Sequence, residues 1–240
     1  MPSIRIGLVG DWNGQQKSHH AIPKALEAAS DRMECVWIPS DTGTNAELLN
    51  NFGGFWCVPG MPYRSAEGVL RIIRHARVSR TPFVGTSAGF QYALIEYARN
   101  VAGLPGADHQ KSNPKTDLPL IAPLGCALAG VKARVRFTVG SRLRRAYAAA
   151  ESIEEYHCSF GLNDRYRRLL EGRDLYVSAV DDQDEVRAVE LDGHPFFVAT
   201  LFQPELRPDA NPLAGAFVTA CIARSDLQAA KDKSQPPVSR

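Results

Sequence analysis

Residues 82–89 read Pro-Phe-Val-Gly-Thr-Ser-Ala-Gly: an apolar run of strand type enters Gly85-Thr86-Ser87-Ala88-Gly89. Phe90, Ala93, Leu94, Tyr97, Ala98 and Val101 then recur at helical spacing until Gly103 and Pro105 end the pattern. Strand, G-x-S-x-G and helix in this order confine the chain to an α/β layering, because the turn needs a sheet edge on one side and a helix start on the other. The flanking glycines let the backbone reverse sharply and leave the central side chain exposed above the sheet. N–H groups of the new helix lie beside it, so an oxyanion formed there meets ready donors. Ser87 is therefore a candidate nucleophile, and Ala88 beside it a candidate substrate-binding residue. A serine that merely caps a helix is the plainer alternative, but a cap needs no glycine on both sides.

The rest of the first half supports the same layering. Apolar strands at Ile4–Val9, Cys35–Ile38, Phe55–Val58 and Pro82–Gly85 alternate with helical patterns, which implies parallel strands joined by crossover helices and hence a doubly wound sheet. Ligands of such sheets gather outside the carboxyl ends of the strands. Those ends carry residues 10–20, 59–63 and 86–89, which are expected to share one crevice.

The second half changes period. Residues 105–130, rich in Pro, Gly, Asp and Lys, read as a long surface loop. Val131–Val139, Leu175–Val180, Val186–Leu191 and Pro195–Phe202 read as strands with short turns, the last two forming a hairpin around Asp192-Gly193. Residues 211–227 read as a closing helix and 231–240 as a fraying polar tail. No repeat or linker divides the chain, so one domain over 1–225 with a tail over 226–240 is expected.

Charge and cysteine usage exclude several classes of function. The 28 Lys+Arg against 26 Asp+Glu give a net charge of only +2, which is no nucleic-acid footprint, and Arg134, Arg136, Arg142, Arg144 and Arg145 read as a local strand edge and helix face. Five cysteines at irregular spacing include no C-x-x-C pair and read as buried reduced thiols of a cytoplasmic protein. The residues show no metal-ligand spacing, no P-loop, and no signal-peptide or membrane-spanning pattern; no cofactor is expected. Acidic residues 181, 182, 184 and 185 read as a surface turn.

A colinear set of motifs carries a more specific identification. Val58-Pro59-Gly60, Glu67-Gly68, Ala76-Arg77, residues 85–91, Ile95-Glu96, Ala98-Arg99-Asn100-Val101, Gly103-Leu104, Val189-Glu190-Leu191, residues 194–197 and Phe202-Gln203-Pro204-Glu205 together resemble the glutamine amidotransferase domain of CTP synthase. That family of class I glutaminases implies a flavodoxin-like fold, an α/β doubly wound and mostly parallel sheet, standing here without the synthetase part. The resemblance also implies site residues: Glu205 as the acid of the triad, Gln91 and Glu96 at the glutamine, Gly60 and Met61 at the oxyanion loop, and Ser159 and Phe160 at the amino-acid clamp.

The departures from the family pattern fall where its chemistry sits. Ser87 stands where the family has Cys, and Gln203 where it has His. Gln203 has no titratable nitrogen, and serine depends still more than cysteine on a positioned base. Met61 replaces the second glycine of the oxyanion loop, and Ser159-Phe160 replaces an Arg-Tyr pair, removing a carboxylate clamp. A substitute base is sought at His19 and His20, near the start of the first helix, or at His157; a solvated or exposed histidine is the plainer alternative at each. The elbow is also similar to that of the cyanophycinase and peptidase E serine hydrolases, over five residues only. Two readings stay open: a serine-nucleophile amide hydrolase or transferase acting on a small amide or amino-acid-like ligand, and a pseudoenzyme that binds a ligand or partner without chemistry. A homodimer and a separate synthetase are the protein associations these readings allow.

Overall fold

The computed structural model describes residues 3–42, 45–170, 174–209 and 211–234. The first half alternates β1 (Ile4–Val9), α1 (Lys17–Ala29), β2 (Met33–Ile38), α2 (Ala46–Leu49), β3 (Gly54–Cys57), α3 (Ala66–Val78), β4 (Phe83–Thr86) and α4 (Ala88–Asn100). There follow β5 (Asp108–His109), β6 (Pro119–Phe137), α5 (Arg142–Tyr147), β7 (Glu151–Leu162), α6 (Arg167–Leu170), β8 (Leu175–Val180), β9 (Val186–Leu191), β10 (Phe197–Thr200) and α7 (Pro212–Ser234).

These strands form one sheet in the order β2-β1-β3-β4-β10-β9-β8-β6-β5, with β7 also paired to β6. Pairing is parallel from β2 through β10, the signature of crossover connections, and the fold is the expected flavodoxin-like α/β sheet. From β10 onward it turns antiparallel through β9, β8, β6 and β7. Strands β3, β4 and β10 are buried along their whole length, as strands covered on both faces must be. Helix α3 packs on α4, and α1 packs on α7. Phe83 and Phe197 stack across the β4–β10 pair with ring centroids 4.4 Å apart.

Several expectations for the second half need correction. The long loop ends early, since β6 begins at Pro119; its prolines fit an edge ribbon whose register shifts between Pro123 and Leu128. Strand β7 was not anticipated, because Glu151, Glu154 and Glu155 give it the look of a loop. Glu154 is nonetheless buried, its Oε1 accepting from Arg207 Nη1 at 2.6 Å. The closing helix runs on to Ser234 through the first part of the tail expected over 226–240, of which residues 235–240 lie outside the described residues. Of the cysteines, Cys126 is exposed and Cys35 half-buried; Cys57, Cys158 and Cys221 are buried as expected. Asp181 is no free surface carboxylate, since its Oδ2 binds the buried Arg187 at 2.5 Å. Among the described residues no helix is long and apolar enough to cross a membrane.

Candidate functional site

The turn after β4 is built as its glycines demand. Ser87 takes φ 55° and ψ −105°, a strained conformation for a residue with a side chain. Its N–H donates to Thr200 O at 2.8 Å, tying the turn to the end of β10. Gly89 sits where a Cβ would come within 2.3 Å of Cys57 O, so only glycine lets α4 start directly over β3. The first N–H groups of α4 have no carbonyl in their own helix to bond, and they open beside Ser87.

A cleft of about 420 Å³ lies above this turn. The three loops expected to converge do so: residues 15–18, 59–61 and 87–88 all line it. Gln91, Ser159, Phe160, Gln203 and His157 complete the walls among the residues expected from sequence. Gly60 carries a φ of 126°, whereas Met61 does not adopt a left-handed backbone, so the replacement of the second glycine imposes no such strain.

Three expected residues sit elsewhere. Glu96 is fully buried but turned away from the cleft: Arg77 grips it through Nε and Nη2 at 2.8 and 2.7 Å, and Asn100 Nδ2 adds a bond at 3.1 Å. Helix α4 presents that position to α3, which supplies Arg77. His19 is buried against Trp12 and Trp37, its Nδ1 accepting from Asn13 N–H at 3.0 Å and its Nε2 donating to Pro59 O at 2.7 Å. Both ring nitrogens are thus used, and burial lowers the imidazole's proton affinity. It braces the Pro59-Gly60 loop rather than Ser87. His20 is bound to Gly14 O at 3.0 Å on the exposed side of α1.

The hydrogen-bond partner of Ser87 Oγ is Cys158 Sγ, at 3.0 Å, and Cys158 Sγ bonds onward to Leu201 O at 3.5 Å. Burial pushes the Cys158 thiol up to about 11, so near neutral pH it is an uncharged, weak acceptor. His157, next along β7, binds Glu155 Oε1 at 2.7 Å instead. No sequence signal marks Cys158 for the site: it lies between His157 and Ser159 on β7, which pairs with β6, and its Sγ meets Ser87 Oγ.

Two more lining residues, His109 and Lys111, come from the segment read as a loop. His109 Nδ1 accepts from Lys111 N–H at 3.1 Å, and its Nε2 donates to Gln91 Oε1 at 3.1 Å. Gln91 Nε2 then donates to Phe160 O at 2.8 Å, so one chain of bonds fixes β5, α4 and β7 together. Burial, followed by the nearby Lys111 charge, lowers His109 to about 4, which keeps it a neutral strut.

Glu205 lies under the turn, fully enclosed, with Thr86 Oγ1 donating to its Oε1 at 3.2 Å. Its Oε2 has no partner among the described residues. Burial pushes the carboxyl up to about 8, against the opposing pull of its own backbone N–H and the Thr86 hydroxyl. A carboxyl that is neutral when folded and ionised when unfolded holds its proton more tightly in the fold. Stability from this source is fullest below the ordinary value of 4.5 and is lost as pH rises towards 8. Glu205→Gln should therefore flatten the fall in Tm across that window in thermal melts; a wild-type slope in the variant would place the source elsewhere.

Comparison with known proteins gives this geometry its context. The family model for class I glutamine amidotransferases matches residues 13–217. The sequence is 31% identical over 239 residues to the CTP synthase of Saccharolobus solfataricus, covering 91% of this chain and 45% of that protein. It is 32% identical over 242 residues to the CTP synthase of Pyrobaculum calidifontis, with 92% and 46% covered. The chain thus spans about half the length of the curated relatives it matches. The glutaminase domain of Trypanosoma brucei CTPS, solved with bound acivicin, superposes with a TM-score of 0.84 at 22% identity, covering 92% of this chain and 94% of that one. The match from Asn13 to Phe217 takes in every strand from β2 to β10 and the whole Ser87 turn, and on that ground the chain belongs to the class I glutamine amidotransferase family.

Proposed function

We propose that this domain is a catalytically silent glutamine amidotransferase of the CTP-synthase type, whose Ser87 crevice binds a small amide or amino-acid-like molecule without hydrolysing it. The partner of Ser87 Oγ carries this reading: it is a neutral thiol, and among the described residues no imidazole, amine or carboxylate hydrogen-bonds to the hydroxyl. A serine hydroxyl needs such a group within about 2.6–3.2 Å, or one water away, to lose its proton during attack. Gln203 lines the crevice at the place where the family pattern has His, and an amide accepts no proton at neutral pH. Glu205, held protonated for half its population near pH 8, has no base to orient.

One observation favours the second reading, a serine-nucleophile amide hydrolase. Ser87 retains a left-handed backbone at the head of α4, as a nucleophile turn requires. Incubation with a fluorophosphonate probe separates the two. Absence of labelling, alongside full labelling of an active serine hydrolase in the same tube, is expected; labelling that disappears in Ser87→Ala would overturn the silent reading.

A further inference from the structure

We infer that, among small amide and amino-acid-like molecules, the crevice selects those that carry carboxylate but no ammonium group, so that zwitterionic glutamine is a poor ligand. This rests on the crevice being the ligand site and adds the charge of what enters it. The walls include Lys17 and Lys111 but no Asp or Glu. Both lysines are exposed, and among the described residues the lysine found in an ion pair is Lys132, with Glu155. Among the described residues, therefore, no carboxylate pairs with either charge.

Two carboxylates beside wall residues are engaged. Glu155 binds His157 and Lys132. Asp108 accepts from His109 N–H and Asn113 and lies 3.5 Å from Arg99. Glu205, beneath the floor, is held largely protonated at neutral pH.

The backbone adds to the same field. Two helices of thirteen residues, α1 and α4, begin at the crevice, and neither has an acidic residue in its first turn or a side-chain cap on its N-terminus. Their free N–H groups and dipoles favour negative charge there. Ser18, in the first turn of α1 and part of the same wall, is almost wholly buried, and its Oγ has no partner among the described residues. An ammonium group entering this space meets two lysines and two helix N-termini with no carboxylate to receive it. A ligand with carboxylates alone meets the two lysines and the two helix N-termini, and no wall carboxylate.

Titration calorimetry of the whole chain with glutarate and with glutamine tests this. The two share a five-carbon skeleton, but glutamine carries an ammonium and has a neutral amide in place of the second carboxylate. Glutarate should bind at least about tenfold more tightly, since one charge-assisted contact is worth that much. Lys111→Glu should weaken glutarate by about a further tenfold or more, and added salt should weaken it progressively. Lys24→Glu, an equal change of charge at an exposed position of α1 that does not line the crevice, should not. Glutamine binding as tightly as glutarate, Lys111→Glu binding glutarate unchanged, or no glutarate binding up to about 10 mM would each overturn the inference. Failure of the silent reading appears separately: probe labelling or ammonia release with glutarate still preferred would remove that reading and leave the charge selection standing.

Discussion

Glutamine at about millimolar concentration should yield ammonia at least ~10⁴-fold more slowly with this protein than with a glutaminase whose triad is complete, the scale on which triad members matter. The expectation combines two absences at one atom. Ser87 Oγ must shed a proton to attack an amide carbon, and its neighbour at 3.0 Å is a thiol pushed up to about 11. No subsequent step helps, because the leaving amine must be protonated by the same missing group. Restoring the family pattern with Ser87→Cys and Gln203→His together should recover little. Cys158 already hydrogen-bonds to the side chain of residue 87, and Ser159 leaves the carboxylate clamp unmade. A coupled ammonia assay on wild type and the double variant checks both statements. Turnover comparable to an intact glutaminase in the wild type would sink the first, and strong recovery in the double variant the second.

Arg77→Ala should destabilise the fold by about 3–5 kcal/mol, the scale found when one partner of a buried ion pair is removed. Glu96 is fully buried, and the bidentate grip at 2.7 and 2.8 Å would be replaced by the single bond from Asn100. For a chain of this size that is a fall in Tm of roughly 10 °C. Replacing both residues with methionine removes the orphaned charge along with the pair, and should cost far less than the single change. A further variant settles the place of Glu96: glutarate or glutamine titrations of folded Glu96→Gln should match wild type, while its thermal melt should fall below wild type. A changed ligand affinity there would return Glu96 to the crevice.

The contrast between Glu96 and Gln91 explains how much of the site could be read in advance. Both stand on α4 after the turn, and both were placed at the ligand through family resemblance. Five residues in a helix rotate a side chain by more than a full turn, however, so the two face different neighbours. Gln91 meets β7 and the crevice, and Glu96 meets Arg77. The loops converging on the crevice were legible because the rule that gathers ligands at strand ends depends only on strand order, which apolar runs reveal. Cys158, His109 and Lys111 were not, because they lie on strands or turns whose identity is set by long-range pairing. The β7 sequence has three glutamates and earns its place only through Arg207 and the antiparallel register with β6.

The change from parallel to antiparallel pairing at β10 also orders events in time. Strands β9 and β10 are joined by a short turn, and hairpins of this kind close in microseconds. Strands β1 to β4 find one another only through intervening helices, and such non-local parallel pairing must meet its loop-closure entropy before any contact rewards it. The Ser87 turn bridges the two regimes: its N–H is held by Thr200 from the hairpin side, while its backbone issues from β4. Binding competence should therefore emerge with the slowest refolding phase, after most secondary structure has formed. A ligand added at the start of refolding should therefore leave that rate unchanged and slow only unfolding, the pattern expected of contacts absent from the transition state.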